Sequence, residues 1–137
     1  MSEYVRTVAL RLRFVAEELD LEEISEATGL VPDFHCKKGD LIKRPNGSLH
    51  KARVDQWRKS CDPHGGEETD LHIRWMLSSG NSDLAGWRQV SARYCGQLLV
   101  GMLMHKPGGI VMIQPETILM VADRGLEADL DQWSNIP

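Results

Sequence analysis

The chain has 137 residues, with 42% hydrophobic and 26% charged side chains and a formal net charge of −4. That length suits one domain, residues 1–137, and the composition excludes an intrinsically disordered chain. The charge argues against nonspecific nucleic-acid binding, no apolar run reaches the ~18 residues of a membrane helix, and the first residues, Met1-Ser2-Glu3-Tyr4-Val5-Arg6, lack the apolar core of a signal peptide.

Residues 4–14 alternate, with Val8, Leu10, Leu12 and Phe14 on one face and Thr7, Ala9, Arg11 and Arg13 on the other, which predicts a strand with one core-facing side. A helix follows. Asp20 and Glu23 form a capping box, and Leu19 and Ile24 occupy the positions of a hydrophobic staple. Leu21, Ile24 and Ala27 or Thr28 face the core. Gly29 supplies the left-handed cap, Leu30 its apolar partner, and Pro32 prevents continuation. Residues 31–51 read as a loop, in which Asn46-Gly47 can close a small hairpin between residues 40–43 and 49–53. Residues 52–61 are a second strand, polar enough to suit a sheet edge, with Val54, Gln56 and Arg58 opposite Asp55, Trp57 and Lys59.

Asp62-Pro63-His64-Gly65-Gly66 ends that strand. Residues 67–79 are helical, with Leu71, Trp75 and Ser78 as the apolar stripe and Ile73 and Leu77 beside it. Ser82 or Asp83 caps a second helix reaching about Tyr94, with Leu84, Trp87, Val90 or Ser91, and Tyr94 inward and Gly96 at its end. Residues 97–105 are the longest apolar run and predict a central strand buried on both faces. A turn at residues 105–109 and a short apolar segment at 110–113 lead to a helix capped by Gln114, with Pro115 in its first position. Ile118, Leu119 and Ala122 form its core face, and Gly125-Leu126 repeats the Gly29-Leu30 ending. The last strand, residues 126–133, points Leu126, Ala128 and Leu130 in and Glu127, Asp129 and Asp131 out.

This order predicts an α+β, ferredoxin-like antiparallel four-stranded sheet built from two βαβ halves, with a helical pair inserted between them. The first and third strands would be central and the fourth would lie beside the first, so that Arg11 and Arg13 face Glu127, Asp129 and Asp131 across one ladder. Leu99 and Leu103, on the far face, would need cover from the inserted helices or from a second subunit, which makes a homodimer an option.

The run Glu23-Ile24-Ser25, Gly29-Leu30-Val31-Pro32, Lys38-Gly39-Asp40 and then Trp57 resembles a bacterial domain-of-unknown-function family, number 4279, over most of the chain. The resemblance implies a small bacterial cytoplasmic α+β domain in a family with no established enzymatic activity, some relatives of which are suspected immunity proteins against secreted toxins. It carries over no catalytic residue.

Cys36, Cys61 and Cys95 make an odd count at irregular spacing, which predicts free thiols in a reducing cytoplasm. Cys61-Asp62-Pro63-His64 has Cys-x-x-His spacing, and His35-Cys36 precedes it. Adjacent His35 and Cys36 chelate poorly, however, and there is no Cys-x-x-Cys, so the expectation is a turn with incidental thiols and no metal. There is no Gly-x-Ser-x-Gly elbow, and Cys95 reads as a buried, inert thiol; no catalytic residue and no cofactor are assigned. Glu67, Glu68 and Asp70 would repel a phosphate from the helix that follows Gly65-Gly66.

Charge is segregated. Residues 37–59 hold eight basic side chains against two acidic ones, a net of +6, which leaves −10 for the remainder of a chain totalling −4. Lys37, Lys38, Asp40, Lys43, Arg44, Lys51, Arg53, Trp57 and Lys59 are therefore the candidate interaction residues, a basic loop and edge strand with an aromatic anchor. A protein partner is expected ahead of a nucleic acid, because Arg11, Arg13, Leu99 and Leu103 stand where an RNA-binding sheet shows aromatics. A small-molecule-binding or hydrolytic domain is the alternative, with Trp57, His64, His72 and Trp75 lining a pocket between the long loop and the inserted helices.

Overall fold

The computed structural model describes residues 5–104 and 111–134. Tyr4, the turn at 105–109 and Ile110, to which the sequence assigns structure, lie outside them. The elements run β1 (Val5–Ala16), α1 (Leu21–Thr28), β2 (Phe34–Cys36), β3 (Leu41–Lys43), β4 (Leu49–Lys51), β5 (Asp55–Ser60), a 3₁₀ turn (Gly66–Glu68), α2 (Thr69–Ser78), α3 (Leu84–Tyr94), β6 (Gln97–Met104), α4 (Pro115–Asp123) and β7 (Glu127–Ser134).

The sheet is not the four-stranded antiparallel ferredoxin-like one. It has five strands in the order β2-β5-β1-β6-β7, with β6 and β7 parallel and the other pairs antiparallel, and β3 and β4 form a separate hairpin. The difference begins at β2. Three residues, Phe34–Cys36, are too few to show alternation and read as loop, yet they pair with Arg58, Trp57 and Gln56. β2 thus runs parallel to β1 with β5 between them, and β5 is an internal strand rather than an edge. Both sides of β1 are taken, by β5 and β6, so β7 cannot lie beside it. The register is Arg11–Leu99–Asp129 and Arg13–Gln97–Glu127, with β6 separating the charges expected to meet directly. Gln97 takes up the intermediate position by accepting from Arg13 at 2.8 Å.

The capping signals hold in part: the Glu23 carboxylate does not close the capping box but accepts from the Tyr94 hydroxyl at 2.9 Å, and the Gln114 side chain makes no cap hydrogen bond. Asp20 accepts from the Glu23 amide at 3.1 Å, and Gly29 closes α1 in the left-handed region at φ 70°, its amide donating to Ser25. Asp83 caps α3, and Pro115 stands in the first turn of α4. Exposed Cys95, at φ 53°, takes the left-handed position that ends α3; it is not the buried thiol expected.

Two helix faces differ from the periodicity reading. α2 buries Thr69, Ile73, Met76 and Leu77 and exposes Leu71 and Trp75. α4 buries Thr117 and Val121 and exposes Ile118 and Leu119. Each helix carries two competing apolar stripes, and packing chooses between them. α2 and α4 pack together, and Arg74 donates to Thr117 Oγ1 at 2.7 Å, holding that residue inward.

One core lies between the helices and the Val8, Leu10, Leu12, Phe14 face of β1, to which Ile24, Trp57, Ile73, Leu77, Trp87, Val90 and Val121 all contribute. The inserted helices therefore share a side with α1 and α4 and do not cover Leu99. The opposite face of the sheet is open. It carries Arg11, Arg13 and Arg58 on one half and Glu127, Asp129 and Asp131 on the other. Crowding shows in the ionisation: Arg58 is lowered by partial burial and by Arg11 and Arg13, and Glu127 is raised by a hydrogen bond shared with Asp129 and by its charge.

α1 and the α2–α3 corner meet tightly. The Asn81 amide donates to the Thr28 carbonyl at 2.7 Å, and Trp87 Nε1 donates to the Asn81 carbonyl at 2.8 Å. A Cβ on Gly80 would stand 2.2 Å from the Thr28 carbonyl oxygen, which is backbone and cannot swing away. Gly80→Ala is expected to cost about 1–3 kcal/mol, read as a lower urea midpoint at unchanged slope. An unchanged midpoint would mean that this corner is loosely packed.

Candidate functional site

Residues 37–53 form an arm that leaves the sheet and returns to it. Its tip is the expected turn: Arg44 N donates to Ser48 O at 2.8 Å, Gly47 N to Arg44 O at 2.9 Å, and Asn46 Oδ1 accepts from the Ser48 amide and hydroxyl. Its neck is closed by Gly39 N to Ala52 O and Ala52 N to Asp40 O, both 2.8 Å. Cross-strand pairing is Leu41–Lys51, Ile42–His50 and Lys43–Leu49.

That register divides the arm into two faces. Ile42 and His50 turn toward a groove of about 1040 Å3, also lined by Lys38, Arg44, Arg53 and Gln56. Arg44 Nε donates to His50 Nδ1 at 3.2 Å across the hairpin. The outer face presents Leu41, 70% exposed, and Leu49, 63% exposed, beside Lys51 and Lys43.

The arm is anchored at Asp55, the first residue of β5 and 4% exposed. Its carboxylate accepts from the amides of Leu19 at 2.9 Å and Lys38 at 2.6 Å, and from Lys37 Nζ at 3.0 Å. Lys37 Nζ also donates to the Leu19 carbonyl. Burial alone would raise this carboxyl, but the two amides and the ammonium outweigh it and hold the group below its ordinary value. Asp55 thus ties the end of β1 to the start of the arm, a role with no sequence signal beyond an acid among bases.

The candidate interaction residues separate accordingly. Lys38, Lys43, Arg44, Lys51 and Arg53 are exposed and gathered on the arm. Lys37 is engaged with Asp55, and Lys59 pairs with Asp33 at 3.6 Å from an internal strand. Asp40 accepts from the Lys37 amide at 2.8 Å and shapes the neck. Trp57 offers no surface to a partner: it is fully buried against Phe14, and its indole donates to Ser25 Oγ at 3.0 Å.

The four residues of the alternative pocket do not meet. Trp57 pairs with Phe14 and His64 with Val8, six residues apart along β1, or about 20 Å. His64, His72 and Trp75 do come together. The two imidazoles stack at 4.0 Å, and Trp75 packs edge-on against His72 at 5.5 Å. Burial, followed by the neighbouring His72, lowers His64, and burial raises the Cys61 thiol.

A family model described as Domain of unknown function (DUF4279) matches residues 5–135, nearly the whole chain. The chain belongs to that family. No curated protein and no solved structure matches this DUF4279 chain. Among its described residues no helix is long and apolar enough to cross a membrane.

Proposed function

We propose that this DUF4279 chain is a cytoplasmic protein-interaction module that binds an acidic partner surface through the β3–β4 arm. The observation that carries this reading is the pairing on the arm's outer face: two exposed leucines, each beside a lysine, on a hairpin projecting from the sheet. Apolar anchors ringed by like charge suit a protein surface of opposite charge, where burial supplies affinity and charge supplies association rate and register. The free thiols of Cys36, Cys61 and Cys95 suit a reducing compartment. An immunity-type inhibitor, acting by covering a surface rather than by chemistry, would use such an arm.

The test is a pull-down from host lysate, with and without nuclease, using wild type, Lys43→Glu/Lys51→Glu and Leu41→Ser/Leu49→Ser. Each double variant is expected to weaken partner retention about tenfold or more, about 1.4 kcal/mol, with Tm unchanged because none of the four residues touches the core. Retention by both variants would remove the arm from the interface. Release by nuclease would make the partner a nucleic acid.

A further inference from the structure

We infer that Cys61, His64 and His72 form a binding site for a zinc-class divalent cation, placed where the chain leaving β5 runs along β1 and meets α2. One sulfur and two imidazole donor atoms lie within 4.8 Å of one another, with Cys61 and His72 half-buried and His64 only 9% exposed. A tetrahedral zinc with bonds of about 2.3 Å to sulfur and 2.0–2.1 Å to nitrogen sets its ligands about 3.3–3.6 Å apart. Closing on the ion therefore needs donor movements of about 1 Å. It also needs one imidazole to turn out of its 4.0 Å parallel stack on the other, because each lone pair lies in its ring plane and parallel planes do not meet at one ion.

Two of the three ligands are held by backbone pairing. Cys61 N donates to Leu10 O at 3.1 Å, and His64 and Val8 exchange both hydrogen bonds, at 2.8 and 3.1 Å. The Cys-x-x-His loop is thus clamped to β1 at both ends before any ion arrives. His72 comes from the first turn of α2, so the ion would staple that helix to the sheet.

The surroundings orient the lone pairs. His64 Nδ1 lies 3.3 Å from the Asp62 carbonyl, which can only accept, so the ring proton sits on Nδ1 and the Nε2 lone pair is free to ligate. Without an ion, the Thr69 hydroxyl, 3.3 Å away, occupies that lone pair. Glu68 Oε2 stands 3.8 Å from His72 Nε2 and adds negative charge beside the site. A sulfur and two nitrogens select a borderline-soft cation over calcium or magnesium, which take oxygens. Three protein ligands leave the fourth position to water or to an incoming group.

The full chain, stripped with chelator and kept reduced, is titrated with Co2+ alone and with Zn2+ alone. Wild type is expected to bind one equivalent, to show tetrahedral cobalt bands with a thiolate charge-transfer band, and to gain about 5 °C or more in Tm with zinc. Cys61→Ser should abolish the charge-transfer band, and His72→Gln should weaken zinc about 100-fold. The His72 side chain is 21% exposed and lies outside the hydrophobic core, so His72→Gln should still fold, which its far-ultraviolet circular dichroism and apo Tm will show. His50→Gln, in the arm, should bind like wild type. No saturable binding by folded wild type would overturn the proposal, as would cobalt spectra unmoved by Cys61→Ser.

Discussion

Asp55→Ala is expected to lower stability by about 3 kcal/mol and Tm by on the order of 10 °C. The substitution strips the partner from two amides, those of Leu19 and Lys38, that the fold has withdrawn from water. Lys37 loses its ion pair but is half-exposed and can turn to solvent, so its share is small. The effect carries a pH signature. The carboxyl sits below its ordinary 3.8 in the fold, so near that pH the unfolded chain binds the proton first. The stabilisation is complete above about pH 5 and is lost as pH falls through the folded value. Urea midpoints of wild type and variant should therefore be far apart at pH 7 and converge toward pH 3. A gap that does not change with pH would mean that Asp55 contributes by shape alone.

Trp57→Ala should cost about 3–5 kcal/mol, a large fraction of the stability of a domain this size. The indole fills the core beneath α1, edge-on to Phe14 at 5.4 Å, and its deletion leaves a void and an unpaired Ser25 hydroxyl. Trp57→Phe, which keeps the ring contact and loses the hydrogen bond, should cost less. Equilibrium denaturation separates this outcome from the interface role first read in the sequence. Loss of a partner with an unchanged denaturation midpoint would restore Trp57 to the binding surface. The arm variants should show the reverse, lost binding at full stability.

Much of the site was legible before any coordinates. The Asn46-Gly47 turn, the net charge of residues 37–59 and five exposed basic residues of the arm follow from turn chemistry and composition. What misled was Trp57: an aromatic two residues from Lys59 on a polar strand reads as an exposed anchor. The strand is internal, however, and alternates Asp55, Trp57 and Lys59 toward the helices. Nothing local reports that β2 covers its other edge, because three residues carry no period.

The sequence by itself determined the four helices and the long strands β1, β6 and β7, the caps at Asp20 and Gly29, the place of Pro115, the inward face of β1, the hairpin and the separation of charge. These depend on neighbours within about four residues, through backbone hydrogen bonds, side-chain caps and alternation. Only the tertiary structure decided the strand order, the rotation of α2 and α4 about their axes, the burial of Trp57 and Asp55, and the meeting of Cys61 and His64 with His72. Each of those is a competition between surfaces far apart in the chain. Two apolar stripes on one helix, or two candidate edges for one strand, have the same local pattern, and the choice falls to whichever packing buries more apolar area with every buried polar group paired.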